Sequence, residues 1–145
     1  MEVACVLLPH FAIQVEIRQH PELHEQPLAL MTTSGSRQIV LDASPTTSGI
    51  TPGMSLTEAL ASCKNAVLLE AQLSRYQCAF SDMLDALCKC SPIVESAGLG
   101  EAYVGLDGLA SMYGGEVHMV TTILQAIPSD YLCRIGISDG KFSAY

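Results

Sequence analysis

The sequence predicts an α+β fold in which helices pack on a mixed sheet. Short apolar runs alternate with stretches in which apolar residues recur at helical spacing. Prolines and glycines bound most of these runs, which is typical of strands and helices joined by turns. With 145 residues and 49% hydrophobic content, the chain has the size of one ordinary domain and can bury a core. The predicted order is strand, helix, hairpin, helix, strand, long helix, two strands, helix and strand.

The first part of the chain is predicted to hold a strand, a helix and a hairpin. Residues 2–8 are apolar apart from Glu2 and are followed by Pro9, which favours a short buried strand. The spacing of apolar residues over 11–18 predicts a short helix. Two apolar runs, 28–31 and 37–43, flank a loop that contains glycine, so we expect them to pair as a hairpin.

The middle of the chain is predicted to form two helices around a strand. Ser55 and Glu58 have the spacing of a capping box, in which each side chain bonds the other residue's free amide. A helix over residues 56–63 should follow, and then a short buried strand over 66–70. The longest helix comes next, with apolar residues at helical spacing. These residues are Tyr76, Phe80, Met83, Leu84 and Leu87.

The last third is predicted to add two strands, a helix and a final strand. Pro92 ends the long helix, and the strands "IVESAG" and "EAYVGL" follow before the turn at Asp107-Gly108. A second amphipathic helix, closed by Pro128, has its predicted inward face at Val117, Val120, Ile123, Leu124 and Ile127. "YLCRIGIS" is the last predicted strand. Because "DGKFSAY" resembles the opening of a helix capped by Asp139, we expect the chain to be a piece of a longer protein.

Charge and hydropathy limit the possible functions. The net charge is -8, with seven lysines and arginines, whereas a protein that grips DNA by itself needs a basic surface. Any contact with nucleic acid must therefore depend on a basic surface outside this sequence or on a partner. The apolar runs are too short to cross a membrane, and the start of the chain lacks a signal-peptide pattern, so we expect a cytoplasmic protein.

The six cysteines are scattered among apolar neighbours, which predicts reduced and mostly buried thiols. The tight pair in Cys88-Lys89-Cys90 is predicted to lie in the last turn of the long helix. It lacks a second pair at zinc-finger spacing, so no metal site is expected there.

Four stretches, taken in order, resemble the N-terminal half of the Y family of translesion DNA polymerases, which includes UmuC, DinB and the ImuB-like proteins. They are "FAIQVEIRQHPELHEQPLAL", "SGITPGMSLTEALASCKNAVLLEAQLSRY", "SPIVESAGLGEAYVGLDGL" and "RIGISDGKF". The resemblance implies a palm-like domain from residues 1–17 and 73–145, truncated at its C-terminus, and a fingers-like region from 18–72. The thumb and little finger, which supply most of the DNA grip in the family, would follow Tyr145.

Family members transfer nucleotides by two-metal chemistry, in which carboxylates hold two magnesium ions. The resemblance places one family aspartate at Leu7, a frequent further acidic residue at Pro9, and the second aspartate at Gly100. Glu101 alone keeps a carboxylate. Because leucine and glycine side chains offer no oxygen ligand, we expect no intact catalytic set, no metal and no cofactor, whereas active members use Mg²⁺. Glu101 would then be the remnant of a lost site.

Nucleotide-binding positions of the family also differ in this sequence. Ala12 occupies the position of the bulky aromatic that excludes ribonucleotides, and Ala43 and Thr46 occupy those of the tyrosine and arginine that hold the triphosphate. Lys141 matches a triphosphate-facing lysine of the family, but one lysine without a metal is a weak phosphate site.

Three functional hypotheses remain open. In the first, the chain is part of an ImuB-like, catalytically inactive protein that acts as an adaptor in DNA repair and damage tolerance. Its implied partners are DNA, bound through missing C-terminal domains, a sliding clamp, a RecA-like ImuA-type protein and an error-prone polymerase. The second hypothesis is an active translesion polymerase with atypical metal ligands. The third is an α+β interaction or small-ligand module without a DNA role.

Overall fold

A computed structural model of the chain describes residues 2–47 and 49–138 and confirms the α+β class. The helices are α1 (Phe11–Gln19), α2 (Leu56–Ser62), α3 (Leu73–Cys88), α4 (Leu109–Met112) and α5 (Glu116–Gln125). The strands are β1 (Val3–Leu7), β2 (Leu28–Ser34), β3 (Arg37–Ala43), β4 (Val67–Glu70), β5 (Val94–Gly98), β6 (Glu101–Gly105) and β7 (Arg134–Ser138). Within the described ranges, no helix is both long enough and apolar enough to cross a membrane.

The chain folds as two compact units. Unit 1 contains the residues up to Pro9 and those from Gln77 onward, and unit 2 is His10–Tyr76. The boundaries of these units differ from those predicted for the palm and fingers, since α1 belongs to unit 2. The assignment of residues 1–17 and 73–145 to a palm and 18–72 to fingers stays a prediction.

Unit 1 is built on a four-stranded sheet in the order β5-β6-β1-β7. β1 pairs antiparallel with β6 on one side and with β7 on the other. Four of its five residues are buried, which agrees with an apolar strand in the interior of a sheet. The helices of this unit add buried apolar side chains, among them Phe80, Met83, Leu87, Met119 and Ile123.

Unit 2 is built on a three-stranded sheet in the order β3-β2-β4. The predicted hairpin of β2 and β3 is confirmed, and it turns at Gly35, whose φ of 64° glycine adopts without strain. β4 pairs parallel with β2 and is half-buried, whereas the sequence predicted a buried strand. One cluster of buried residues in this unit contains Ala29, Met31, Val40, Ala43, Ile50 and Ala59.

Three further expectations need correction. The Ser55 hydroxyl accepts a hydrogen bond from the Glu58 N–H, as predicted. The Glu58 carboxylate accepts its bond from the Ser55 hydroxyl, whereas the capping box predicted a bond from the Ser55 N–H. The short helix α4 was not predicted. In α5 the buried residues are Met119 and Ile123, while Val117 and Leu124 of the predicted inward face are exposed.

The cysteines are free thiols, but they are mostly not buried. Cys5 is buried, Cys63, Cys90 and Cys133 are half-buried, and Cys78 and Cys88 are exposed. α3 ends at Cys88, so Lys89 and Cys90 lie in the turn that follows the helix. The sequence had predicted them in the last turn of the helix itself. Flanking apolar residues did not predict burial because the exposed side of an amphipathic helix also has apolar neighbours in sequence.

A buried carboxylate joins the two ends of unit 2. Glu16 of α1 is only 3% exposed, and its Oε1 accepts a hydrogen bond of 2.7 Å from the Tyr76 hydroxyl. The Arg75 guanidinium lies 3.5 Å from the same oxygen. A buried carboxylate is stable only with such partners, because removing it from water is costly. The three groups therefore connect α1 to the first turn of α3.

We expect Tyr76→Phe to lower the free energy of unfolding by about 1.5–3 kcal/mol, the usual value of a hydrogen bond to a charged group. Tyr113→Phe is the matched control, since the Tyr113 hydroxyl donates to the neutral carbonyl of Cys90 at 2.8 Å. Its expected cost is about 0.5–1.5 kcal/mol. Chemical denaturation of both variants provides the measurement. Equal losses in the two variants would contradict a charged, buried Glu16.

A pH dependence follows from the same contact. Burial raises the pKa of Tyr76 well above its usual value, and the bond to Glu16 adds to this effect. As the pH rises above about 10, the unfolded chain releases the phenolic proton while the folded chain retains it. The stability difference between wild type and Tyr76→Phe should therefore shrink above pH 10 and stay constant below it. A constant difference across alkaline unfolding curves would refute the raised pKa.

Candidate functional site

Of the four positions that the resemblance assigns to acidic residues of the family, Leu7, Gly100 and Glu101 lie together in unit 1, and Pro9 follows Leu7 by two residues. Leu7 is directly opposite Glu101 in the register of β1 and β6. Gly100 lies in the turn between β5 and β6, and its carbonyl accepts a bond of 2.8 Å from the Leu8 N–H. One end of the β1–β6 pair thus gathers Leu7, Gly100 and Glu101, and we call these three residues the carboxylate position set.

A row of side chains crosses the sheet at this end. Residues opposite each other in antiparallel strands point to the same face, so Glu101, Leu7 and Arg134 share one face of β6, β1 and β7. Two strand spacings put the outer Cα atoms of this row roughly 10 Å apart. Glu101 is half-buried and Arg134 is exposed. The row therefore places an apolar side chain between one carboxylate and one guanidinium.

The next row of the same face contains a thiol. Cys5 lies opposite Tyr103, which in turn lies opposite Glu95 in β5. Burial raises the pKa of the Cys5 thiol, and the nearby Glu101 carboxylate raises it further. Magnesium prefers hard oxygen ligands to the soft sulfur of a thiol, so Cys5 is a poor substitute for a missing carboxylate.

The residues of the carboxylate position set do not fit a two-magnesium site. Magnesium requires several hard oxygen ligands in near-octahedral positions, and this set offers the one carboxylate of Glu101. Gly100 has a φ of 84°, in the left-handed region where an aspartate would be strained. Among residues 2–47 and 49–138, no three His, Cys, Asp or Glu side chains form a group that could hold a metal.

The nucleotide-binding positions in unit 2 have structural roles. Ala43 is 4% exposed and belongs to the core of that unit. The Thr46 hydroxyl lies 2.9 Å from that of Ser44 and donates to the Gln26 carbonyl at 3.2 Å. Ala12 is buried in α1. Lys141 lies outside the described residues.

A histidine–aspartate pair in unit 2 was not predicted from the sequence. His10 precedes α1 with φ 50° and ψ 48°, a left-handed conformation that is uncommon for a residue other than glycine. Its Nδ1 lies 2.8 Å from Asp42 Oδ1, and the same oxygen accepts the Ala43 N–H at 2.9 Å. The pair holds the start of α1 against the end of β3. No local pattern could have predicted it, since 32 positions separate the two residues.

Curated relatives of the chain are DNA polymerases. It is 27% identical over 139 residues to DNA polymerase IV of Clostridium kluyveri and 30% identical over 141 residues to DNA polymerase IV of Dehalococcoides mccartyi. These alignments cover 92% and 94% of the chain but 35% and 36% of the relatives. The chain therefore spans about a third of the length of these relatives.

Solved structures show the same fold. DinB from Sulfolobus solfataricus matches with a TM-score of 0.88 and 20% identity. The post-insertion binary complex of Dbh DNA polymerase matches with a TM-score of 0.89 and 22% identity. Each match covers 99% of this chain and 44% of the other.

A family model supports the relationship over nearly the whole sequence. The impB/mucB/samB family matches residues 6–145. Together with the DinB and Dbh structures, this match confirms the resemblance to Y-family polymerases. The chain belongs to the impB/mucB/samB family.

Proposed function

We propose that this chain is the palm and fingers part of a Y-family polymerase-like protein that works in DNA-damage tolerance without polymerase activity of its own. The observation that carries the proposal is the carboxylate position set, in which Leu7 faces Glu101 and Gly100 lies beside them. Two-metal catalysis needs carboxylates at these places to hold both ions. One carboxylate out of three leaves the positions of both aspartates without an oxygen ligand.

Unit 2 supports the same proposal independently. A residue that holds a triphosphate must be accessible, but Ala43 is buried and has no polar side-chain atom. Thr46 uses its hydroxyl within the loop that follows β3. Arginine offers a charged, bidentate donor to phosphate, which a threonine hydroxyl cannot replace. The fingers would therefore bind an incoming nucleotide weakly.

As an adaptor, the protein would bring other components of translesion synthesis together. Dbh polymerase has been seen in binary and ternary complexes. For this protein we propose a DNA contact through regions beyond this chain, since its own net charge of -8 opposes phosphate binding. A sliding clamp, a RecA-like ImuA-type protein and a separate error-prone polymerase complete the proposed set, and a cytoplasmic location fits it.

An active polymerase with atypical ligands is the second candidate, and two observations favour it. The curated relatives are named DNA polymerase IV. In addition, Glu95 and Glu101 lie on the same face of the sheet in neighbouring rows. Two carboxylates in neighbouring rows of one face could hold one ion, although two-metal chemistry requires more.

Primer extension by the full-length protein with Mg²⁺ separates the two candidates. We expect incorporation at background level, with less than about a twofold change in Glu101→Gln, because a lone carboxylate holds no catalytic metal. In a working polymerase the same substitution would remove a metal ligand and with it the activity. Metal-dependent incorporation that disappears in Glu101→Gln would therefore refute the adaptor proposal.

Restoring both oxygen ligands tests the geometry separately from activity. In the double variant L7D/G100D, three carboxylates would converge at one end of β1 and β6, so we expect Mn²⁺ binding roughly tenfold or more tighter than in wild type. Aspartate at position 100 should cost about 1 kcal/mol of stability, because of its left-handed backbone. Calorimetric titration measures the binding, and the triple variant L7D/G100D/E101Q is the control. Equal Mn²⁺ affinity in wild type and the double variant would show that the three positions do not form a site.

A further inference from the structure

Helix α5 has two apolar faces. Met119 and Ile123, each 1% exposed, form the buried one. On another side of the helix, Val117, Val120 and Leu124 follow one another at spacings of three and four residues and form a second stripe, which we call the α5 ridge. Val117 is 79% exposed, Leu124 is 42% exposed and Val120 is half-buried. A shallow depression lined by Glu116, Val117, Val120 and Thr121 lies along the ridge.

The neighbouring helix α4 has a further exposed apolar side chain. Met112 of α4 is 73% exposed, and α4 packs against α5 within unit 1. Single exposed apolar residues are normal on protein surfaces. A stripe of apolar residues at helical spacing, in contrast, can pack against the apolar face of an amphipathic helix. The ridge therefore has the form of a helix-docking surface.

Apart from His118, the charged and titratable side chain types of the segment that contains the ridge are acidic, tyrosine and cysteine aside. Between residues 90 and 133 the sequence contains five carboxylates and no lysine or arginine. Glu116 lines the depression itself. Complementary charge selects the partner of an apolar surface, because like charges placed together in an interface are costly. The acidic residues therefore disfavour anionic membranes, nucleic acid and a second copy of a chain whose net charge is -8.

We propose that the α5 ridge is the docking surface for an amphipathic helix of another protein, whose apolar stripe is flanked by lysines and arginines. The apolar stripe of that helix packs on Val117, Val120 and Leu124, and its basic flanks face Glu116 and the neighbouring carboxylates. The inference is independent of the metal site, since it stands whether or not the protein polymerises DNA.

The test uses the full-length protein and a synthetic helical peptide of about 18 residues, with leucines at i, i+3, i+4 and i+7 and lysines on both flanks. We expect saturable binding in fluorescence anisotropy, weakened at least about tenfold by the double variant V117S/L124S. Leu60→Ser is the matched control, because Leu60 on α2 is 43% exposed, almost the same fraction as Leu124. It should leave the affinity unchanged.

Charge is tested with a second variant that keeps the apolar ridge. Glu116→Lys should weaken the lysine-flanked peptide and strengthen a matched peptide in which glutamate replaces each lysine. If V117S/L124S lowers the thermal unfolding midpoint, the Glu116→Lys variant still provides a decisive test, because it leaves the apolar residues of the ridge unchanged. Unchanged binding in Glu116→Lys, equal binding of the two peptides to wild type, or equal losses in Leu60→Ser and V117S/L124S would overturn the proposal. So would absence of peptide binding, as expected if another part of the same protein or a second copy covers the ridge.

Discussion

The pairing of β1 on both of its edges is the constraint on which the geometry of unit 1 depends. Because β6 and β7 both align with β1, the residue at the end of this strand must face Glu101 on one side and Arg134 on the other. The register is maintained by backbone bonds and by buried apolar residues such as Ala4 and Val6, none of which involves a metal. The arrangement of Leu7, Gly100 and Glu101 therefore does not depend on a bound metal.

The absence of charge at Leu7 and Gly100 favours folding of this part of unit 1. Three carboxylates at one end of a strand pair repel each other unless a cation lies between them, and burial increases the repulsion. Leu7 and Gly100 carry no charge, and the Glu101 carboxylate raises the pKa of its buried neighbour Cys5. Unit 2 shows a comparable replacement, since Ala43 contributes to a core where the family resemblance implies a tyrosine that binds nucleotide.

Sequence periodicity predicted most elements because each period has one geometric meaning: the hairpin of β2 and β3 and the long helix α3 are examples. It could not choose the buried face of α5, since residues 117, 120 and 124 fit a helical stripe as well as residues 119 and 123 do. The meeting of Leu7 with Glu101 depends on the register of distant strands, which local pattern does not contain, and it was predictable only through the family resemblance. Neither local sequence pattern nor the family resemblance predicted the contacts of His10 with Asp42 and of Tyr76 with Glu16.

The acidic charge of the chain bears on both the carboxylate position set and the α5 ridge. A polymerase domain that must approach template phosphates benefits from positive potential, and acidic groups are then tolerated mainly where metal ions neutralise them. This chain lacks such a metal cluster among its described residues, yet it retains a net charge of -8. A net charge of this sign opposes contact with phosphates and favours contact with basic segments. The α5 ridge lies within the segment that has no lysine or arginine. A basic partner that is attracted by charge could bind there specifically, because burial of apolar surface adds the affinity that charge alone does not provide.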